Sequence, residues 1–236
     1  MKKFLYVIFV FIFIGCGGEN NTNNKSGIII PAYFYDANLW DEVVNADSLN
    51  KFIVIINPNY GPGDNTDDFY SSVINDLITE NKTPIGYVYT KWGSRDISEV
   101  ENDIDKWLNL YPSIKGFFID EANSTADGVT YYKTLYSYIK AKGNYFVVLN
   151  PGTTPNTEYF NVSDLVVVFE NDVSKLNNNV CENNFEKSAV IVYGADEEDM
   201  KEFKNVCGYV YFTDDSGNNP YDSLPSYFYE EINELK

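Results

Sequence analysis

From Gly27 onward the chain alternates short apolar runs with longer amphipathic or polar stretches. The runs are Ile28–Phe34, Phe52–Asn57, Ile85–Tyr89, Gly116–Asp120, Tyr145–Asn150, Leu165–Phe169, Ala189–Tyr193 and Tyr209–Thr213. They are rich in Val, Ile, Phe and Tyr and nearly continuous, as strands buried on both faces read. The intervals carry helix signals. Thr66–Glu80 opens on an N-cap candidate and acidic first-turn residues. In Asp96–Leu110, residues Ile97, Val100, Ile104, Trp107 and Leu108 recur at helical spacing. Val129–Lys142 ends at Gly143, a good C-cap, and Glu197–Asn205 and Ser223–Leu235 add two more helices. The crossovers after the fifth and sixth runs read as short or irregular. Strands alternating with crossovers predict an α/β protein, a single-domain (β/α)8 barrel of the TIM type over residues 27–236. An open doubly wound sheet is the rival, and the lack of a Gly-rich phosphate loop after the first run counts against it.

Reactive groups of such barrels sit at the C-terminal ends of the strands. Here those ends are polar or aromatic: Tyr33, Asn57, Tyr89 with Trp92, Asp120-Glu121, Asn150, Glu170, Tyr193 and Asp214. Turn and cap chemistry accounts for Asn-Pro and Pro-Gly dipeptides. It accounts less well for acids that directly follow apolar runs, since burying a carboxylate is costly without a partner or a task. Side chains alternate along a strand, so only one of Asp120 and Glu121 faces the barrel mouth. Asp120 is the better candidate because it shares a face with Phe118. Glu170 ends the sixth run on the same side of the mouth. Two facing carboxylates suffice for glycoside hydrolysis, and their separation distinguishes retention from inversion.

Composition narrows the chemistry further. The 236 residues include no histidine, which removes His-based triads, His-containing zinc motifs and His acid–base catalysis. The formal net charge of −18 disfavours nucleic acid and other polyanions and would attract a cationic ligand. Twenty Tyr and sixteen Phe suit half-wet surfaces such as a sugar cleft, as well as ordinary packing.

The N-terminus reads as a targeting segment. Lys2 and Lys3 precede a wholly apolar run, Phe4–Ile14, too short to span a bilayer comfortably. It leads into Phe13-Ile14-Gly15-Cys16, which resembles a bacterial lipobox with Phe in place of the usual Leu. That resemblance implies a signal peptide over residues 1–15, lipidation of Cys16 and a polar tether over residues 16–26. The expected location is the bacterial cell envelope, membrane-anchored on its periplasmic or surface face; an uncleaved anchor is the alternative. In that compartment Cys181 and Cys207 point to a disulfide, with two buried free thiols as the other reading.

Five segments taken together resemble the spherulin-4 domain (spherulation-specific family 4). They are Ile30–Tyr35, Ile56–Gly63, Gly86–Thr90, Phe118–Glu121 and Leu149–Gly152. The resemblance implies a (β/α)8 barrel related to fungal glycoside hydrolases that cleave galactosaminogalactan, a partly deacetylated, cationic polymer. It implies Asp120 as nucleophile, Glu170 as general acid/base and Glu121 as an orienting or substrate-binding acid. Tyr33, Asn57, Tyr89, Trp92, Asn150, Tyr193 and Asp214 are the candidate substrate-binding residues, with Trp92 the foremost stacking ring. No metal or cofactor is expected, and a monomer is. Two other readings stay open. One is a non-catalytic glycan-binding surface lipoprotein. The other is a metal-dependent hydrolase using Asp120, Glu121, Glu170 and Asp214 as oxygen ligands.

Overall fold

A computed structural model describes residues 25–236. The signal segment 1–15, Cys16 and most of the tether lie outside them. Lys25 and Ser26, assigned to the tether, are within, and Ser26 is buried with its hydroxyl donating to the Cys207 carbonyl.

Eight parallel strands close into one barrel in sequence order. They are β1 (Gly27–Ala32), β2 (Phe52–Ile56), β3 (Thr83–Tyr89), β4 (Gly116–Asp120), β5 (Phe146–Leu149), β6 (Leu165–Asp172), β7 (Ser188–Tyr193) and β8 (Tyr209–Phe212). Their central residues are buried on both faces, which is why the sequence shows continuous apolar runs rather than alternation. Helices α1 (Ala37–Asn45), α2 (Asp68–Thr79), α3 (Ile97–Leu110), α4 (Val129–Lys142), α5 (Glu197–Phe203) and α6 (Phe228–Glu234) lie between or after them. The crossovers after β5 and β6 hold only single 3-10 turns, as the irregular patterning there predicts.

Helix α1 carries no clear periodic signal in the sequence. It spans only nine residues, and its start is set by Asp36, whose carboxylate accepts the N–H groups of Asn38 and Leu39. Trp40 and Val43 bury its inner face, and the Trp40 indole donates to the Phe34 carbonyl at 3.1 Å. Trp107 of α3 does the same to Tyr87 at 2.9 Å. Its ring lies so close to β3 that a Cβ at Gly86 would sit 2.7 Å from it, so glycine is required there. Cys181 and Cys207 form a disulfide that ties the β6–β7 crossover to the entrance of β8. Closing a loop of that size stabilises a fold by about 3 kcal/mol.

The register defines the interior face. Ile29 pairs with Ile53, Ile55 with Ile85, Ile85 with Gly116, Gly116 with Phe146 and Val148 with Leu165, so all of these share it. Carried to the strand ends at a period of two, that face takes Tyr33, Asn57, Tyr87, Asp120 and Asn150. Strand β6 breaks the count: Val167 pairs with Ala189, but Phe169, not Val168, pairs with Val190. This one-residue bulge moves Glu170 onto the interior face, where strict alternation would have placed Phe169.

Candidate active site

At the mouth, four strands contribute to one hydrogen-bonded chain. The Tyr87 hydroxyl donates to Asp120 Oδ2 at 2.7 Å. The Asn150 amide nitrogen donates to Asp120 Oδ1 at 2.7 Å and to Glu170 Oε2 at 2.6 Å. The Tyr221 hydroxyl donates to Glu170 Oε1 at 2.8 Å. Sharing one nitrogen caps the distance between the two bridged oxygens at about 5.3 Å, the sum of those two bonds. The Asn150 amide is itself oriented, because its Oδ1 accepts the Gly152 N–H at 3.0 Å and leaves the NH2 group aimed at both acids. Gly152 makes this turn with φ +64, and its carbonyl accepts the Glu170 N–H at 3.0 Å.

Burial raises both carboxyl groups above their ordinary range. The offsets differ. Asp120 is held back by Tyr87, the Glu121 N–H and Asn150, three donors to its anion. Glu170 has Asn150 and Tyr221, but the Asp120 charge pushes it further up. Three donors face the Asp120 anion against two for Glu170, an asymmetry of the kind that separates a nucleophile from an acid. Tyr33, Tyr87 and Tyr221 are raised by burial and by these acids, so all three stay protonated, and Tyr87 and Tyr221 act as donors.

Tyr33 stands between Tyr87 and Tyr221, edge-on to both at 5.7 and 5.8 Å. With Asn57, Pro58, Asn59, Tyr60, Tyr87, Asn218 and Asn219 it lines a hollow of about 400 Å³. Asn57 also shapes the rim, accepting the Gly61 N–H at 3.0 Å.

The remaining expected residues fall outside this hollow. Glu121 turns away with φ 49, and its half-buried carboxyl is raised by desolvation and by Asp120, with the Lys91 N–H and charge opposing. Its carbonyl accepts the Trp92 N–H at 2.6 Å, and Trp92 is largely exposed. Tyr89 lines the neighbouring hollow under the stacked Arg95 guanidinium, 4.2 Å from its ring centre. Tyr193 reaches Asn171 at 3.3 Å. Asp214 is occupied by Ser226, whose N–H and hydroxyl it accepts, and so serves the approach to α6. Of the four acids considered as metal ligands only Asp120 and Glu170 meet, and among the described residues no group of three or more His, Cys, Asp or Glu is placed to hold a metal. Tyr87 and Tyr221 were missed. Tyr87 was detectable, since it lies one period inside Tyr89 on the Asp120 face. Tyr221 sits in an irregular loop with no periodic signal.

The fold and site together define a (β/α)8-barrel protein with a buried carboxylate pair at its C-terminal mouth. Residues 27–235 match spherulation-specific family 4, and the chain belongs to that family. Spherulin-4 of Physarum polycephalum is 40% identical over 155 residues, which are 64% of this chain and 47% of that protein. The chain thus matches about half the length of this curated relative. Among solved structures, Aspergillus clavatus Sph3 in complex with GalNAc superposes with TM-score 0.80 at 25% identity, covering 90% of this chain and 98% of that one. A Thermomonospora fusca β-mannanase in complex with mannohexaose shares the barrel alone, with TM-score 0.53 at 13% identity, covering 88% of this chain and 84% of that one.

Proposed function

We propose that the protein is an exported glycoside hydrolase that cleaves an amino-sugar-containing polysaccharide with retention. The observation that carries this is the pair Asp120–Glu170, held within about 5.3 Å on a single amide. That spacing suits a nucleophile and an acid acting on one bond, without room for a water between them and the sugar. Asp120 attacks the anomeric carbon as the glycosidic C–O bond breaks, and Glu170 gives its proton to the departing oxygen. Glu170 then takes a proton from water, whose oxygen displaces Asp120 and releases the sugar. Tyr87 and Asn150 hold the attacking carboxylate, and Tyr221 holds the acid. The likeness to a protein crystallised with GalNAc supports an amino sugar, and the net charge of −18 supports a cationic, partly deacetylated chain. Glu121, Tyr33, Asn57 and Trp92 would contact substrate around the centre.

Incubation with a partly deacetylated galactosamine polymer should release reducing ends, with a bell-shaped pH dependence from the two acids. No release from that polymer or its glucosamine counterpart sinks the reading in favour of a non-catalytic glycan-binding protein. Removing a donor from each anion raises its pKa further. Tyr87→Phe should therefore move the acid limb of kcat/KM upward, and Tyr221→Phe the alkaline limb.

Export rests on the lipobox-like Phe13-Ile14-Gly15-Cys16 segment. In a bacterial host, the protein should partition into detergent and incorporate labelled palmitate at Cys16. Label retained in Cys16→Ser would refute that assignment.

A further inference from the structure

Behind the acids, the end of β4 is held by a buried chain of hydroxyl groups that takes no part in the chemistry above. Thr90 follows β3, Tyr132 lies in the first turn of α4, and both are fully buried. The Tyr132 hydroxyl accepts the Asn123 N–H at 2.7 Å and stands 3.0 Å from Thr90 Oγ1. Thr90 Oγ1 reaches the Glu121 carbonyl at 2.9 Å and the Asp120 carbonyl at 3.1 Å. The Thr90 N–H donates to the same Asp120 carbonyl at 3.0 Å. Each hydroxyl carries one proton, and carbonyls only accept. Thr90 therefore gives its proton to the carbonyls, and Tyr132 gives its own to Thr90. Removing either hydroxyl leaves a buried polar partner unpaired.

What this chain holds is one peptide plane. In a trans peptide the C=O and N–H point opposite ways. The Asp120 carbonyl is drawn toward Thr90, so the N–H of the same peptide, that of Glu121, points to the other side. There it faces the Asp120 carboxylate and favours its anion. The backbone does not prefer this arrangement. Glu121 has φ 49, the left-handed region that a residue with a Cβ disfavours. Flipping this one peptide would return φ to negative values and take the N–H off the carboxylate.

We propose that Thr90 and Tyr132 are positioning residues for the reaction. Thr90 pins the Asp120 carbonyl, Tyr132 pins Thr90, and the Glu121 peptide is thereby kept from flipping, with its N–H facing the attacking carboxylate. This rests on the hydrolase reading, in which Asp120 is the nucleophile, and adds what orients that group from behind.

Two readouts test it: the acid limb of kcat/KM on the polymer, and the carbon-13 titration of the Asp120 carboxyl, assigned with Asp120→Asn. Losing a donor to the anion raises the pH at which the anion forms. Thr90→Val and Tyr132→Phe should each move limb and titration upward by about half a unit or more, as weakening a hydrogen bond to a charged group does. Thr90→Ser keeps the hydroxyl and should restore the wild-type position. Tyr132→Phe removes only an oxygen, so it carries the test if Thr90→Val does not fold. The titratable groups facing Asp120, namely Tyr33, Tyr87, Glu121 and Glu170, and Lys91 beside Glu121, are unaltered by these substitutions. Residues that only support the fold would lower Tm and activity alike at every pH, with limb and titration unmoved. That result overturns this inference and leaves the hydrolase reading standing. Without cleavage of either polymer the hydrolase reading falls, and the titration alone decides whether the clamp holds Asp120.

Discussion

Asp120→Asn should lower turnover of the polymer by more than about a thousandfold, because an amide cannot form the covalent intermediate assigned to the Asp120 carboxylate. The substitution keeps the shape and the Asn150 and Tyr87 neighbours, so Tm should change little; an Asn there even removes a buried charge. Glu170→Gln should cost about a hundred- to ten-thousandfold on the natural bond, and much less on a substrate whose leaving group needs no proton. This difference is diagnostic. If both variants lose activity equally on an activated aryl glycoside, Glu170 is not the acid. If Asp120→Asn retains turnover, the nucleophile assignment fails. Initial rates on the two substrates at several pH values decide both points.

The second large effect concerns a residue with no part in this chemistry. Glu231 of α6 is fully buried, and burial pushes its carboxyl up to about 8, with the Phe212 N–H opposing. Its position follows from how the barrel closes. The β1–β8 ladder spans only Gly27↔Tyr209 and Ile28↔Val210. Beyond it, Phe212 N–H donates to Glu231 Oε1 at 2.9 Å. Among the described residues the other oxygen, Oε2, has no hydrogen-bond partner, nor does the buried Tyr211 hydroxyl. The unfolded chain loses this proton near the ordinary glutamate value, whereas the folded chain keeps it until about 8. The native state then binds more protons across that window, so stability falls as pH rises from about 4.5 to about 8 and levels off above. The full loss is on the order of 5 kcal/mol at about 1.4 kcal/mol per unit. Glu231→Gln keeps an acceptor for Phe212 and cannot ionise. It should flatten the slope and exceed the wild type in Tm at pH 8, while matching it near pH 4.5. Parallel pH profiles for the two proteins, by calorimetry, would refute this role.

The barrel was legible from the chain because its strands are buried on both faces: eight apolar runs survive as runs, and the observed strands begin and end within a few residues of them. The long helices were legible for a related reason, as Val100, Ile104 and Trp107 bury one stripe of α3. Helix α1 was not, since its nine residues give too few periods and its signal resides in the Asp36 cap.

The site divides along the same line. Composition and strand-end chemistry named Asp120, Glu170, Asn150 and Tyr33 as candidates, because polar residues at the ends of buried strands need a reason to be there. Alternation also chose Asp120 over Glu121 as the inward acid, and the register agrees. What the chain could not express is geometry that depends on neighbours. The bulge at Val168 carries Glu170 inward, and it is visible only in the pairing of β6 with β7. The amide that bridges the acids is aimed by the Gly152 turn, and Tyr221 arrives from a loop with no pattern to read. Sequence thus determined which strands exist and which acids end them. Only the closed barrel decided which of those acids meet, because that depends on register and inter-strand distance, which exist only once the eighth strand pairs with the first.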